Sequence, residues 1–267
     1  MLGNLDNEVI FKKAFTDKFV FEHFVKDILN LDVEIGHIET EKKFTPPIGY
    51  VKFALDIFAE SADRRIAIEL QRVQYDHNFD RFIHYLMMLV AEQQRSSKEY
   101  GIDQTVYLIV VMTQPYRFDD KAGKPVKEEV MITELDTRNI KGDKIPLWGH
   151  QMVVLNPNHP DANTPQRIRD WLDLVYQSIH SPQRPSINLS NPGIKRAAHL
   201  IETDQLTPEE QELRKNAESA AYVKGLYEYV GREDVAKNMI QEGYDNGTIA
   251  RLTGVSEAAV EKLRTEG

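Results

Sequence analysis

Cysteine is absent from the 267 residues. That removes disulfide cross-links, thiolate nucleophiles and cysteine-bound zinc, and it suits a reducing cytoplasm. Long hydrophobic runs are missing as well. The longest clean one, Tyr107 to Met112, is far too short to cross a bilayer, so no membrane partner is expected. The opening MLGNLDNEVIFKKAF is charged and amphipathic, not the apolar core of a secretory leader. Positive charge is in deficit: 33 Lys and Arg face 42 Asp and Glu, for a net charge of −9. A protein that grips phosphate backbone over a wide surface is usually basic. Contact with nucleic acid must then be confined to a local cleft.

What remains is ordinary for a globular chain, with 41% apolar and 28% charged residues. Val9, Phe11, Phe15, Phe19, Phe24 and Ile28 recur at roughly helical spacing and predict a helix over 8–29. TPPIG at 45–49 breaks regular structure. Two strands are expected near 50–60 and 65–73, joined by a turn at SADRR. A long helix is expected over 75–98, striped by Phe79, Phe82, Ile83, Leu86, Leu89 and Val90. TVYLIVVMT, 105–113, reads as a buried central strand. A polar loop or hairpin follows over 114–128, then strands near Val130–Leu135 and Met152–Leu155. Thr164 and Pro165 are expected to cap and begin a helix that ends near His180.

SPQRPSINLSNPG supplies the boundary between domains. The expected organisation is a core domain over 1–180, a linker over 181–195, and a helical tail over 196–267. Within the tail, DNGTIARLTGVSEAAVEKLR has the outline of a helix-turn-helix, with Gly254 at the turn and Ser256 as a cap. Glu257 and Glu261 on its second helix would repel phosphate, which favours a packing or interaction motif over a DNA reader. Tyr222, Leu226, Val230 and Val235 or Met239 are the expected buried positions of the preceding helix.

The chemistry-bearing stretch is ALDIFAESADRRIAIELQ. If its strands pair in the right register, Asp56 comes beside Glu69. Two carboxylates converging at a strand end make a site for a hard, oxygen-preferring Mg²⁺ ion. Gln71, two residues past Glu69, projects the same way and could orient a water or a phosphate. The competing reading is a solvated strand face, because Asp-x(12)-Glu-x-Gln is a loose pattern. On the long helix Arg81 and Tyr85 are an i, i+4 pair that can face one cleft. Structurally, Arg81 could serve only as a bridge to Asp76, Asp80 or Glu69. His77 and His84 share a face but have no strong third zinc ligand.

The order of helix, Asp strand, turn, Glu-x-Gln strand, long helix and apolar strand resembles the PD-(D/E)XK nuclease superfamily. LDIFAESADRRIAIELQRVQYDHNFDRFIHYLMMLVAEQ tightens the match, and DNEVIFKKAF and VAKNMIQEGYDNGTIARLTGVSEAAVEKL extend it to both ends. Together they resemble its recombination-promoting nuclease and transposase branch. The resemblance implies an α/β (α+β), restriction-endonuclease-like mixed sheet flanked by helices, and a metal-dependent DNA endonuclease. It implies Asp56 and Glu69 as Mg²⁺ ligands, with Mn²⁺ able to substitute, and Gln71 in the place of the motif lysine. Gln71 lacks the positive charge that stabilises a pentavalent phosphate. Glu8 falls where the family carries an acid ahead of Phe-Lys, although an acid also suits a helix start on its own account. Gln74, Arg81 and Tyr85 are the implied DNA contacts. Symmetric double-strand cleavage would call for a homodimer. The acidic balance and Gln71 leave a second reading, a catalytically silent nuclease fold that binds or regulates. A transcription regulator acting through residues 246–264 is a third.

Overall fold

The computed structural model describes residues 1–43, 54–72, 78–94, 101–114 and 118–266. Contacts divide the chain into two compact units, Met1–Glu210 and Gln211–Gly267.

The first unit is built on a six-stranded mixed sheet. In chain order its strands are β1 (His37–Lys43), β2 (Ala54–Glu60), β3 (Arg64–Gln71), β4 (Thr105–Met112), β7 (Val130–Arg138) and β8 (Lys144–Leu155); their spatial order is β1-β2-β3-β4-β8-β7. β3, β4 and β8 run parallel, while β1, β2 and β7 are antiparallel to their neighbours. A short separate hairpin, β5 (Phe118–Asp119) and β6 (Pro125–Val126), occupies the polar region after β4. β4 explains the central position: Leu108 and Val110 pack on one face, Ile109 and Val111 on the other, so nothing polar is buried. Such a strand is stable only between two layers.

One layer is α3 (Asn78–Ala91), whose Phe82, Leu86 and Leu89 cover Phe58, Ala67, Leu108 and Val110. The other layer is α1 (Glu8–Phe15), α2 (Lys18–Leu29), α4 (Gln166–His180) and α5 (Pro192–Leu200). There Phe15, Phe24 and Trp171 meet ring to ring, with the Phe24–Trp171 centroids 5.0 Å apart and edge-on, and the indole N–H donates to Asp27 at 2.8 Å.

Several local expectations are corrected. The helix expected over 8–29 is two: Asp17 caps α2 by accepting from the Val20 amide, and Phe19 is left 46% exposed outside the apolar stripe. Thr164 does not cap α4; Pro165 stands in that position with no side-chain cap bond. β1 and the long first half of β8 escape an apolar-pattern search, because β1 is a charged edge strand and the early part of β8 is solvent-exposed. α5 packs on α1, α2 and α4, within the first unit.

The last long helix is α6 (Pro208–Gln241). In the second unit, Ala236 of α6 forms a small core with Ile249 of α7 (Asn246–Thr253) and Val255 and Val260 around the start of α8 (Glu257–Glu266). Gly254, at φ 73°, makes the left-handed turn between α7 and α8. Val235 is exposed, so Ala236 and Met239 carry the packing that the sequence assigned to Val235 or Met239. Tyr222, Leu226 and Val230 have side chains outside the described set. Arg264 donates to the Tyr244 carbonyl and Asn246, and Asn246 binds Glu261, so these polar groups of α8 are turned back onto the unit itself.

Candidate active site

Parallel β3, β4 and β8 end together, and β2 begins at that same end because it runs antiparallel to β3. Ligands of α/β sheets commonly bind beyond the carboxyl ends of parallel strands. The register Ile57↔Ile68, continued by one residue, sets Asp56 opposite Glu69. There the ladder changes character. The Asp56 amide donates to Glu69 Oε1 at 2.9 Å, and the Leu70 amide donates to Asp56 Oδ2 at 2.9 Å. Side-chain carboxylates have replaced backbone carbonyls as acceptors, which locks both acids in place. Leu55 joins Phe58 under α3, so strict alternation of faces fails at Leu55–Asp56.

Two more acids reach Asp56. Glu8 opens α1, where Asn7 caps the helix by accepting from the Val9 amide. Asp6 binds the Thr113 hydroxyl at the end of β4, and the Thr113 amide donates to the Gln71 carbonyl at 3.1 Å, so the start of α1 is tied to the strand ends. Glu41 comes from β1. Pairing with β2 skips from Thr40↔Ile57 to Lys42↔Leu55, and Glu41 between them has a left-handed φ of 53°. A non-glycine residue rarely adopts that conformation. One carboxylate oxygen from each of Glu8, Glu41 and Asp56 lies within 4.8 Å of the others.

The electrostatics follow from this crowding. Burial, opposed by the Leu70 amide and Lys12, leaves the Asp56 carboxyl above its ordinary range. Glu69 is 3% exposed; burial, then the adjacent Asp56 charge, push its carboxyl well up. For Glu8 burial acts upward, but Lys12 and Arg72 outweigh it and hold the carboxyl low. Lys12 donates to both Glu8 and Glu41, and Arg72 Nη2 stands 3.4 Å from Glu8 Oε2.

Arg81 and Tyr85 of α3 share one face: Arg81 Nε donates to the Tyr85 hydroxyl at 2.7 Å, and the guanidinium lies 5.1 Å from the ring centre. The Arg81 charge reaches Glu69. Gln71 is buried at the end of β3, 5% exposed. Gln74, Asp76 and His77 lie outside the described residues. Thus Asp56, Glu69 and Glu8 come to one strand end with Gln71 beside them, and Arg81 approaches from α3. Glu41 and Lys12 were missed. Lys12 had a signal, its i, i+4 spacing from Glu8. Glu41 had none, since a charged edge strand carries no pattern that selects one acid.

Among the described residues the donor set of the cluster is all oxygen, which fits a hard divalent cation. By contrast a cavity of about 880 Å³ lies at the other end of β2 and β3. Arg65 on its wall binds Glu92 and Gln104.

A mixed sheet sandwiched by helices, with acids gathered where an Asp strand and a Glu-x-Gln strand meet, defines a restriction-endonuclease-like fold of the PD-(D/E)XK class. The sequence profile of the PD-(D/E)XK nuclease family transposases matches residues 7–223, and the chain belongs to that family. Comparison with curated proteins and with solved structures gives no significant match. No helix among the described residues is long and apolar enough to cross a membrane.

Proposed function

We propose that the protein is a metal-dependent DNA endonuclease of transposase-like type, hydrolysing phosphodiester bonds at the Asp56–Glu69 strand end. The observation that carries this reading is the convergence of Glu8, Glu41 and Asp56 within 4.8 Å, with Glu69 anchored on the Asp56 amide, in a family of nucleases. Asp56 is the shared acid, belonging both to the Glu8–Glu41 group and to the pair with Glu69. Glu8, Glu41 and Asp56 would hold Mg²⁺, or Mn²⁺ in its place, with Glu69 steadying Asp56 through its amide. A divalent cation bound there supplies charge stabilisation to the phosphate and a more acidic water.

The protein's own groups do the rest. Asp56 and Glu69 fix the ligand geometry through amide donors that cannot move without breaking the β2–β3 ladder. Gln71 orients the scissile phosphate or the attacking water. Arg81, held in direction by Tyr85, meets the phosphate from the α3 side, and Gln74 adds a DNA contact. The attack is in line on phosphorus, leaving a 5′-phosphate and a 3′-hydroxyl. A homodimer would present two such sites for double-strand cleavage.

The decisive assay is nicking of supercoiled plasmid in Mg²⁺, Mn²⁺ or EDTA. Nicking should require metal and vanish in Asp56→Ala and Glu69→Ala. A second reading, a catalytically silent nuclease fold acting by binding, is favoured by Gln71 at the lysine position and by the ammonium of Lys12 among the acids. Plasmid left uncut with every metal would select it.

A further inference from the structure

The acidic cluster already contains a cation. Lys12 lies one turn beyond Glu8 on α1, and its ammonium is 2.5 Å from Glu8 Oε1 and also bonded to Glu41 Oε1. Its charge is felt at Asp56 as well. One ammonium thus bridges two of the three acids whose oxygens stand within 4.8 Å of one another. Only 18% of the lysine side chain is exposed, while Glu8 and Glu41 are 37% and 53% exposed and open to an entering ion.

We propose that Lys12 is a built-in stand-in for the divalent cation: ammonium and metal are alternative partners of Glu8 and Glu41, and metal entry drives Lys12 out. The inference rests on the reading of Glu8, Glu41 and Asp56 as metal ligands. It follows from space and charge. A cation at coordination distance from one oxygen of each acid, and an ammonium at hydrogen-bond distance from two of the same acids, would stand about 4 Å apart with like charge. Lysine is suited to leave, being a compact, strongly hydrated charge on a flexible four-carbon stem. Arg72, 3.4 Å from Glu8 Oε2, stays behind as the fixed counter-charge. Without metal, Lys12 keeps crowded carboxylates from repelling one another apart, so the ligands remain gathered. The exchange also weakens metal binding, because every ion that enters must first break the Lys12 contacts.

The test uses the full chain and reads the amine directly. Lysines are reductively methylated with and without saturating Mg²⁺, and the extent at each site is measured by peptide mass spectrometry. Lys12 should label slowly without metal and about tenfold faster with it, since a hydrogen-bonded, mostly buried amine is shielded until displaced. Lys13, which donates to the Gln205 carbonyl and Glu210, is the internal control and should not change. No change at Lys12, or slower labelling in Mg²⁺, overturns the exchange. Calorimetric titration with Mn²⁺ gives the second arm: Lys12→Met should bind about tenfold more tightly than wild type once the competitor is gone. Equal or weaker binding also overturns the proposal. Asp56→Asn separates the two levels. If it binds Mn²⁺ as wild type does, the metal reading of the cluster has failed. If it loses Mn²⁺ while Lys12 labelling ignores Mg²⁺, the metal reading stands and the exchange falls.

Discussion

Replacing Glu69 by Gln should stabilise the metal-free protein at pH 8. Glu69 is 3% exposed, faces the Asp56 charge, and gives one oxygen to the Asp56 amide at 2.9 Å. Gln is nearly isosteric and keeps a carbonyl for that amide, so what is removed is a buried ionisable carboxyl beside another carboxylate. Relief of that kind is on the order of 1–3 kcal/mol. A domain of about 150–250 residues shifts its Tm by about 2–4 °C per kcal/mol, which gives a rise of about 2–12 °C. The pH dependence has a definite sign. Glu69 holds its proton more tightly folded than unfolded, its carboxyl being raised well above the ordinary 4.5. It therefore contributes stability that is complete below that ordinary value and is lost as pH rises through the raised one. Wild type in EDTA should gain stability as pH falls through the raised value toward 4.5, and Glu69→Gln should flatten the curve. Asp56, also raised, keeps a residual slope of the same sign. Thermal melts followed by circular dichroism between pH 5 and 8 measure both effects. A Glu69→Gln protein less stable than wild type at pH 8, or one with an unaltered pH slope, would refute this account of the buried acid.

Gln71→Ala should cut plasmid nicking by about tenfold or more while Mn²⁺ affinity by calorimetry stays within about twofold, because its role is orientation and not ligation. Arg81→Ala should weaken binding of a short duplex in Ca²⁺ and lower the slope of log affinity against log salt by about one unit for each phosphate left without its guanidinium; an unchanged slope would remove Arg81 from the phosphate. Trp171→Ala, which vacates the buried position between Phe15 and Phe24 and leaves Asp27 with Asn191 as its remaining donor, should cost about 3–5 kcal/mol in denaturant unfolding; a loss below about 1 kcal/mol would contradict the packing described.

The core of the fold was legible where burial leaves a pattern. TVYLIVVMT is apolar on both faces and could only be a central strand, and IAIELQ alternates until its acid. The Asp56–Glu69 convergence was legible as a possibility of register, and the Ile57↔Ile68 pairing makes it geometry. Illegible were the elements whose position depends on an edge or a break. β1 is charged along its length, so neither the strand nor Glu41 stands out, and the left-handed turn of the chain at Glu41 has no glycine to mark it. The stop at Thr16–Asp17 was overridden by the apolar period running through it, although Asp17 is a good cap residue. Lys12 was visible only as the second half of an i, i+4 pair, a spacing too common to suggest a shared cation site.

The central claim is that the acids of α1, β1 and β2 gather around one divalent cation. Crystals grown with Mn²⁺ and measured at a wavelength where manganese scatters anomalously test it most directly. The account predicts one strong peak at coordination distance from Glu8, Glu41 and Asp56, at the strand end bearing Glu69. A fully occupied manganese bound elsewhere, or none at that strand end at millimolar Mn²⁺, would contradict it.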